Sequence, residues 1–167
     1  LPDIMEENPQ MSDIRRDLVA LLPQLRRFAL TLTVDTTSAD GLVSAACEKA
    51  IHKSHMWKKD RRLEVWLFAI MHAMWLDDKK KRRAALKHRG EAVLLPMDAQ
   101  ENTTAYSILD GLSDGLAPVF LLCAVEGLSY REAASILGDT QDAVAMRLVM
   151  ARHELATMMS RHVERRA

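Results

Sequence analysis

Val119 to Glu154, VFLLCAVEGLSYREAASILGDTQDAVAMRLVMARHE, has the pattern of two helices joined by a short turn, the second longer and bearing arginines. Ser129 followed by Glu132 forms a capping box, so a helix is predicted over 129–137 with Ala133, Ala134, Ile136 and Leu137 as its apolar stripe. Gly138 ends that helix, and Thr140 is placed to cap the next, predicted to run to about Arg161. Val144, Leu148, Ala151 and Leu155 recur there at helical spacing on one face. When such a pair binds DNA, the second helix enters the major groove and its first turns meet base edges. Gln141, Asp142, Ala145 and Met146 occupy those turns. An ordinary helical hairpin with a glycine turn has the same pattern, so spacing alone leaves both readings open.

The stretch resembles the C-terminal, region 4 domain of the extracytoplasmic-function (ECF) sigma factors of the sigma-70 family. There an "LL..VEGLSYEEAAEILG" helix pair precedes a "G-T-V-K-S-R-L-x-R-A-R" recognition helix. Upstream, LVALLPQLRRFALTLT (18–33), ADGLV (39–43), VWLFAI (65–70) and the basic run to Arg83 resemble the region 2 domain in the same order. The wording of 21–33 is closest to the alphaproteobacterial general-stress group.

The resemblance implies recognition rather than catalysis, with core RNA polymerase, promoter DNA and an anti-sigma factor as partners, a cytoplasmic location and no cofactor. Polymerase-facing positions map onto Asp40, Leu42, Val43, Ala46 and Lys49. The pocket for flipped bases of the −10 element maps onto Ser54 to Arg62 and the following helix. His55, Trp57, Lys58, Lys59, Arg61, Arg62, His72, Lys79, Lys80, Lys81, Arg82 and Arg83 are its candidates. Extruded bases need stacking surfaces and donors to their edges, which Trp57, His55 and the lysines supply. For the −35 element the positions are Arg131, Thr140, Gln141, Asp142, Ala145, Met146, Arg147 and Arg152.

The chain departs from the family pattern at all three surfaces. "D-D-L-V-Q-E" is replaced by Asp40-Gly41-Leu42-Val43-Ser44-Ala45, the usual "R-N" by His72-Ala73, and the recognition helix loses a Lys, a Ser and an Arg. Those losses suit a sigma factor of unusual promoter preference. They also suit a sigma-like decoy that sequesters an anti-sigma factor, although the receiver domain normally fused to such decoys is not in this sequence. A stand-alone helix-turn-helix regulator is a third reading. The six histidines show neither ligand nor triad spacing, and no Gly-rich phosphate loop occurs, so an enzyme is not expected.

Composition agrees with an all-α chain. Aliphatic residues and ten methionines supply the apolar content, while alternating β-branched runs are lacking. Cys47 and Cys123 lie inside helical patterns without a CxxC or a His-spaced partner, which predicts buried thiols in a reducing compartment and no metal site. No apolar run approaches the roughly 18 residues of a membrane span, and the first ten residues lack the apolar stretch of a signal peptide. The formal charge of zero conceals an asymmetry: residues 52–90 carry a net +8 and residues 91–146 a net −8. A basic segment suits phosphate binding, and opposite halves also suit closure on each other.

The expected organisation is an N-terminal extension or expression remnant over 1–11, a region 2-like domain over 12–89, a Pro-containing linker over 90–103 and a region 4-like domain over 104–167. Within the first domain, a helix is predicted from Ser12 to Thr33, with Leu18, Leu21, Leu22, Leu25, Phe28, Ala29 and Leu32 inward and a kink or break at Pro23. Ser38 is expected to cap a helix to Lys53, His52 to Arg62 to form a loop, and Leu63 to Lys87 to form a long helix. On that long helix Val65, Trp66, Phe68, Ala69, His72, Ala73 and Leu76 form the apolar side before it turns basic. Helices over 104–112 and 118–126, the latter with Pro118 in its first turn, complete the second domain.

Overall fold

The computed structural model describes residues 9–33, 35–89, 109, 111–113 and 115–166. Six helices account for most of them: α1 (Pro9–Leu32), α2 (Thr36–His52), α3 (Leu63–Arg89), α4 (Leu116–Phe120), α5 (Tyr130–Leu137) and α6 (Gln141–Glu164). The protein is all-α, as composition and periodicity predict, and no strand occurs among the described residues. The expected linker and most of the predicted 104–112 helix lie outside the described residues, as does the segment before Pro9.

α1 runs uninterrupted through Pro23, so the predicted division into two helices does not occur. A proline inside a helix costs about 3 kcal/mol through one lost hydrogen bond and a clash with the preceding turn. Two features offset this. Ile14 and Leu18 before the proline and Leu25, Phe28, Ala29 and Leu32 after it all bury on the same side. The freed carbonyl, that of Val19, belongs to the exposed side, where water can satisfy it. Leu22 is also exposed on that side, which corrects its expected place in the core.

The N-cap of α2 is Asp35 rather than Ser38. The Asp35 carboxylate accepts the Ser38 backbone N–H and the Ser38 hydroxyl, both at 2.7 Å, so Ser38 is the third residue of the helix. These bonds hold the Asp35 carboxyl below its ordinary value. α2 buries Ala39, Val43, Ala46 and Ala50, a stripe of mainly small residues that lets it approach α1 and α3 closely. After a 3-10 turn at Ser54–Met56 and the basic loop, α3 buries Leu63, Leu67, Phe68 and Met71. Phe68 meets Phe28 edge to face, with ring centroids 5.0 Å apart. Ala73 and Leu76, expected on the apolar side, are exposed, and Leu67 and Met71 take their place.

α4 starts at Leu116, after Gly115 in a left-handed turn, and widens into a π turn over Leu121–Val125. The Glu126 amide bonds the Leu121 carbonyl at 2.9 Å, closing that turn, and Gly127 at φ +70° lets the chain reverse into α5. Both termini of α5 match the sequence reading. Ser129 and Glu132 form the reciprocal capping box, and left-handed Gly138 allows the Asp139 amide to close onto the Ala134 carbonyl at 3.0 Å.

The two motif-bearing halves share a core. One contiguous cluster takes Leu25, Phe28, Leu67 and Met71 from the first half and Val119, Leu122, Ile136 and Leu148 from the second. α3 packs against α5, and α1 against α4 and the π turn. The second half adds a small cluster of its own, Leu112, Leu116 and Ala151, backed by Leu109, Leu155 and Met158. Arg27 and Glu126, 99 residues apart, are joined at 2.7 and 2.9 Å, and Arg62 lies 3.7 Å from Glu132.

Candidate nucleic-acid interface

α6 follows from its first residue. The Thr140 hydroxyl accepts the Ala143 amide at 3.2 Å, fixing the start of the helix, so Thr140 acts as a cap with its hydroxyl oxygen engaged. Val144, Leu148 and Ala151 bury against α4 and α5, and Leu155 is half-buried. The opposite face presents Asp142, Met146, Val149 and Met150 to solvent, Gln141 and Arg152 are exposed on its flank, and Ala145 is half-buried. Arg147 is held by Asp139 at 2.6 Å, and Asp139 also accepts the Thr140 amide at 2.8 Å. Arg131, on α5, is exposed.

The basic candidates divide by what holds them. In the loop after α2, His55, Lys58, Lys59 and Arg61 are exposed, and Trp57 is half-buried with its indole N–H donated to the Arg61 carbonyl at 3.1 Å. That bond and the packing of Trp57 on the core give the loop a fixed ring at its centre. Arg62 is drawn toward Glu64 and Glu132. Further along, the Lys79 ammonium sits 4.8 Å from the centroid of Trp75, and Arg82 pairs with Asp78 at 2.9 Å. Lys80, Lys81 and Arg83 are exposed and have no carboxylate at ion-pair distance among the described residues. From Asp77 to His88 the whole segment is exposed except half-buried Leu86, so these cations stand on a helix free of the core.

His72 does not face solvent with them. It is buried beside Trp75, with ring centroids 5.7 Å apart, and its imidazole lies near the Ile136 backbone across the junction of α3 and α5. Its sequence-predicted place at the −10 pocket is therefore covered in this arrangement. Burial holds the imidazole below its ordinary value, outweighing the Ile136 backbone, which favours the charged form. Folded His72 is neutral at a pH where the unfolded chain takes up a proton, so stability is full above about 6.5 and declines as pH falls below it. Denaturant midpoints of the native chain and His72→Gln measured between pH 5 and 8 should diverge only on the acid side, with the variant flatter. Parallel curves would show that His72 does not titrate with folding.

The polymerase candidates also divide. Ala46 is fully buried in the stripe 39–43–46–50 that packs on α1 and α3, whereas Val43, though mostly buried in the same stripe, also lines the groove between α1 and α2. Asp40 is exposed and paired with Arg26 of α1 at 2.8 Å, and Leu42 and Lys49 are half-buried. Sequence reading missed what lies between α1 and α2: a groove of about 420 Å³ with Leu22, Arg26, Asp40, Ser44, Cys47 and Ile51 among its walls. Leu22, expected inward on α1 but exposed, forms part of the groove's wall. Burial raises the Cys47 and Cys123 thiols above their ordinary value, keeping both protonated.

Two helical units, one ending in a basic helix and the other a helix-turn-helix, define a protein of the sigma type. The description "Sigma2 domain of PhyR" matches residues 18–72, and "Sigma-70, region 4" matches residues 105–155. The two matches, region 2 before region 4 on one chain, support an ECF sigma factor of the sigma-70 family. The chain is 27% identical over 158 residues to the ECF RNA polymerase sigma factor EcfG of Rhodopseudomonas palustris, covering 90% of this chain and 87% of that one. Among solved structures it is similar to the sigma factor RpoE of Bartonella quintana, crystallised with the anti-sigma factor NepR. That match has a TM-score of 0.74 and 26% identity, over 89% of this chain and 97% of RpoE. CnrH in complex with the cytosolic domain of CnrY matches with a TM-score of 0.61 and 25% identity, over 90% and 95% of the two chains. No helix among the described residues is long and apolar enough to cross a membrane.

Proposed function

We propose that this chain is a working sigma factor. It binds core RNA polymerase through α2 and the α1/α2 groove, captures −10 bases with the 54–62 loop and α3, and reads the −35 element with α6. It acts in the cytoplasm by recognition, without chemistry of its own, and is held in check by an anti-sigma factor. The observation that carries this reading is the pairing, in family order on one chain, of a solvent-standing basic helix with a capped helix-turn-helix. RpoE, crystallised with the anti-sigma factor NepR, supports the anti-sigma assignment. In the closed arrangement His72 is buried and Arg62 is drawn to Glu132, so engaging a promoter requires α5 to leave α3.

Transcription reconstituted with core polymerase tests the reading, and α2 supplies a variant that should improve it. Gly41 is exposed, and a Cβ there meets nothing within 4 Å, so an aspartate is accommodated and relieves roughly 0.3 kcal/mol of the glycine's helix cost. Gly41→Asp, Ser44→Gln and Ala45→Glu together should strengthen core binding several-fold in a fluorescence titration, leaving anti-sigma affinity nearly unchanged. A second reading rests on the match of residues 18–72 to the PhyR domain, which resembles a sigma-like decoy. A native chain that holds an anti-sigma factor but shows no core binding would replace the first reading with the second.

A further inference from the structure

We propose that α6 reads the −35 element through thymine methyl groups, with Met146 as the specificity-determining contact and Val149 beside it. This rests on the sigma-factor reading above. The base-reading turns of α6 are unusually apolar on their outer face: Met146 is 68% exposed, Val149 65% and Met150 48%. All three lie opposite the buried Val144, Leu148 and Ala151, on the side a groove would meet. Guanine is read by a guanidinium or ammonium aimed at its O6 and N7. The guanidinium nearest that position, Arg147, is instead tied back to Asp139 across the turn. An exposed thioether or isopropyl group has one complementary feature on a base-pair edge in the major groove, the 5-methyl of thymine. Asp142 and Gln141, also exposed, offer an acceptor and an amide to neighbouring bases.

Charge points the same way. Residues 129–166, which hold the helix-turn-helix, carry six arginines against five carboxylates, a near-neutral balance that gives only a modest sequence-independent grip on phosphates. Discrimination at this element then falls more heavily on direct base contacts. Removing one buried methyl group is worth about 0.8 kcal/mol, roughly a fourfold change in affinity.

The test uses holoenzyme assembled from the full chain and core polymerase, with templates carrying an unaltered −10 segment and ten randomised base pairs at the −35 distance. One library is synthesised with thymine in the randomised segment and the other with uracil, which pairs identically and lacks only the methyl group. Native holoenzyme should enrich thymine at one or more positions of the first library, and that preference should fall about fourfold or more in the second. Met146→Gln, at a solvent-facing position, should lose the same preference in the thymine library and gain no further loss from uracil. Equal base preferences in both libraries would overturn the proposal and leave this apolar face to a protein partner. Retention of neither library above core polymerase alone would overturn it together with the sigma-factor reading.

Discussion

Replacing Lys80, Lys81 and Arg83 by glutamine is expected to weaken promoter binding by the holoenzyme on the order of 10²-fold near 0.1 M salt. The salt slope should become shallower by about 3. Each phosphate neutralised on a duplex releases close to one counterion, so three lost contacts remove nearly three powers of the salt concentration from the binding constant. These three are chosen because the structure spares them other work. Lys79 is committed to Trp75 and Arg82 to Asp78, whereas Lys80, Lys81 and Arg83 stand exposed on the free half of α3. Thermal stability should stay within about 0.5 kcal/mol, as for surface changes that break no contact. Filter binding or anisotropy from 50 to 300 mM salt measures the slope. An unchanged slope would assign the run to solvation of the helix rather than to the promoter backbone.

Arg27→Ala is expected to destabilise the folded chain by about 3 kcal/mol, and Glu126→Gln by clearly less. The pair is lopsided: the Glu126 side chain keeps 8% of its surface exposed and that of Arg27 34%. Losing the arginine strands a carboxylate at the junction of α1 with the π turn, and a buried charge without its partner costs several kcal/mol. Losing the carboxylate charge leaves a guanidinium that still reaches water, and glutamine can retain one hydrogen bond. Urea unfolding of the two variants should therefore give unequal midpoints, with Arg27→Ala the lower. Equal midpoints would mean that the pair is solvated in solution and does not hold the halves together.

What could be read from the sequence were bonds made within a few residues. The Ser129–Glu132 box, the Thr140 cap and the Gly138 stop each depend on partners no more than five positions apart, and all three form as predicted. The free basic half of α3 was equally legible, because a helix segment with cations on every side has no face that a core would accept. Even local chemistry has competitors: Asp35 and Ser38 both suit a cap, and the carboxylate, accepting two bonds from Ser38, takes the position.

Tertiary structure decided which face of each helix is inside and what lies across from it. α2 carries apolar residues around most of its circumference, so its sequence allows Leu42 and Ile51 or Val43 and Ala46 to face inward. Close approach of α1 and α3 selects the smaller set, which sends Ala46 into the core, leaves Val43 between the core and the floor of the α1/α2 groove, and makes that groove the accessible surface. His72 and the Arg27–Glu126 pair depend on contacts between halves far apart in the chain, and no local periodicity encodes such a contact. The sequence by itself determined the helices, their ends and the family. Only packing, in which burial and charge pairing are settled by distant partners, decided which of the candidate residues remain free to bind.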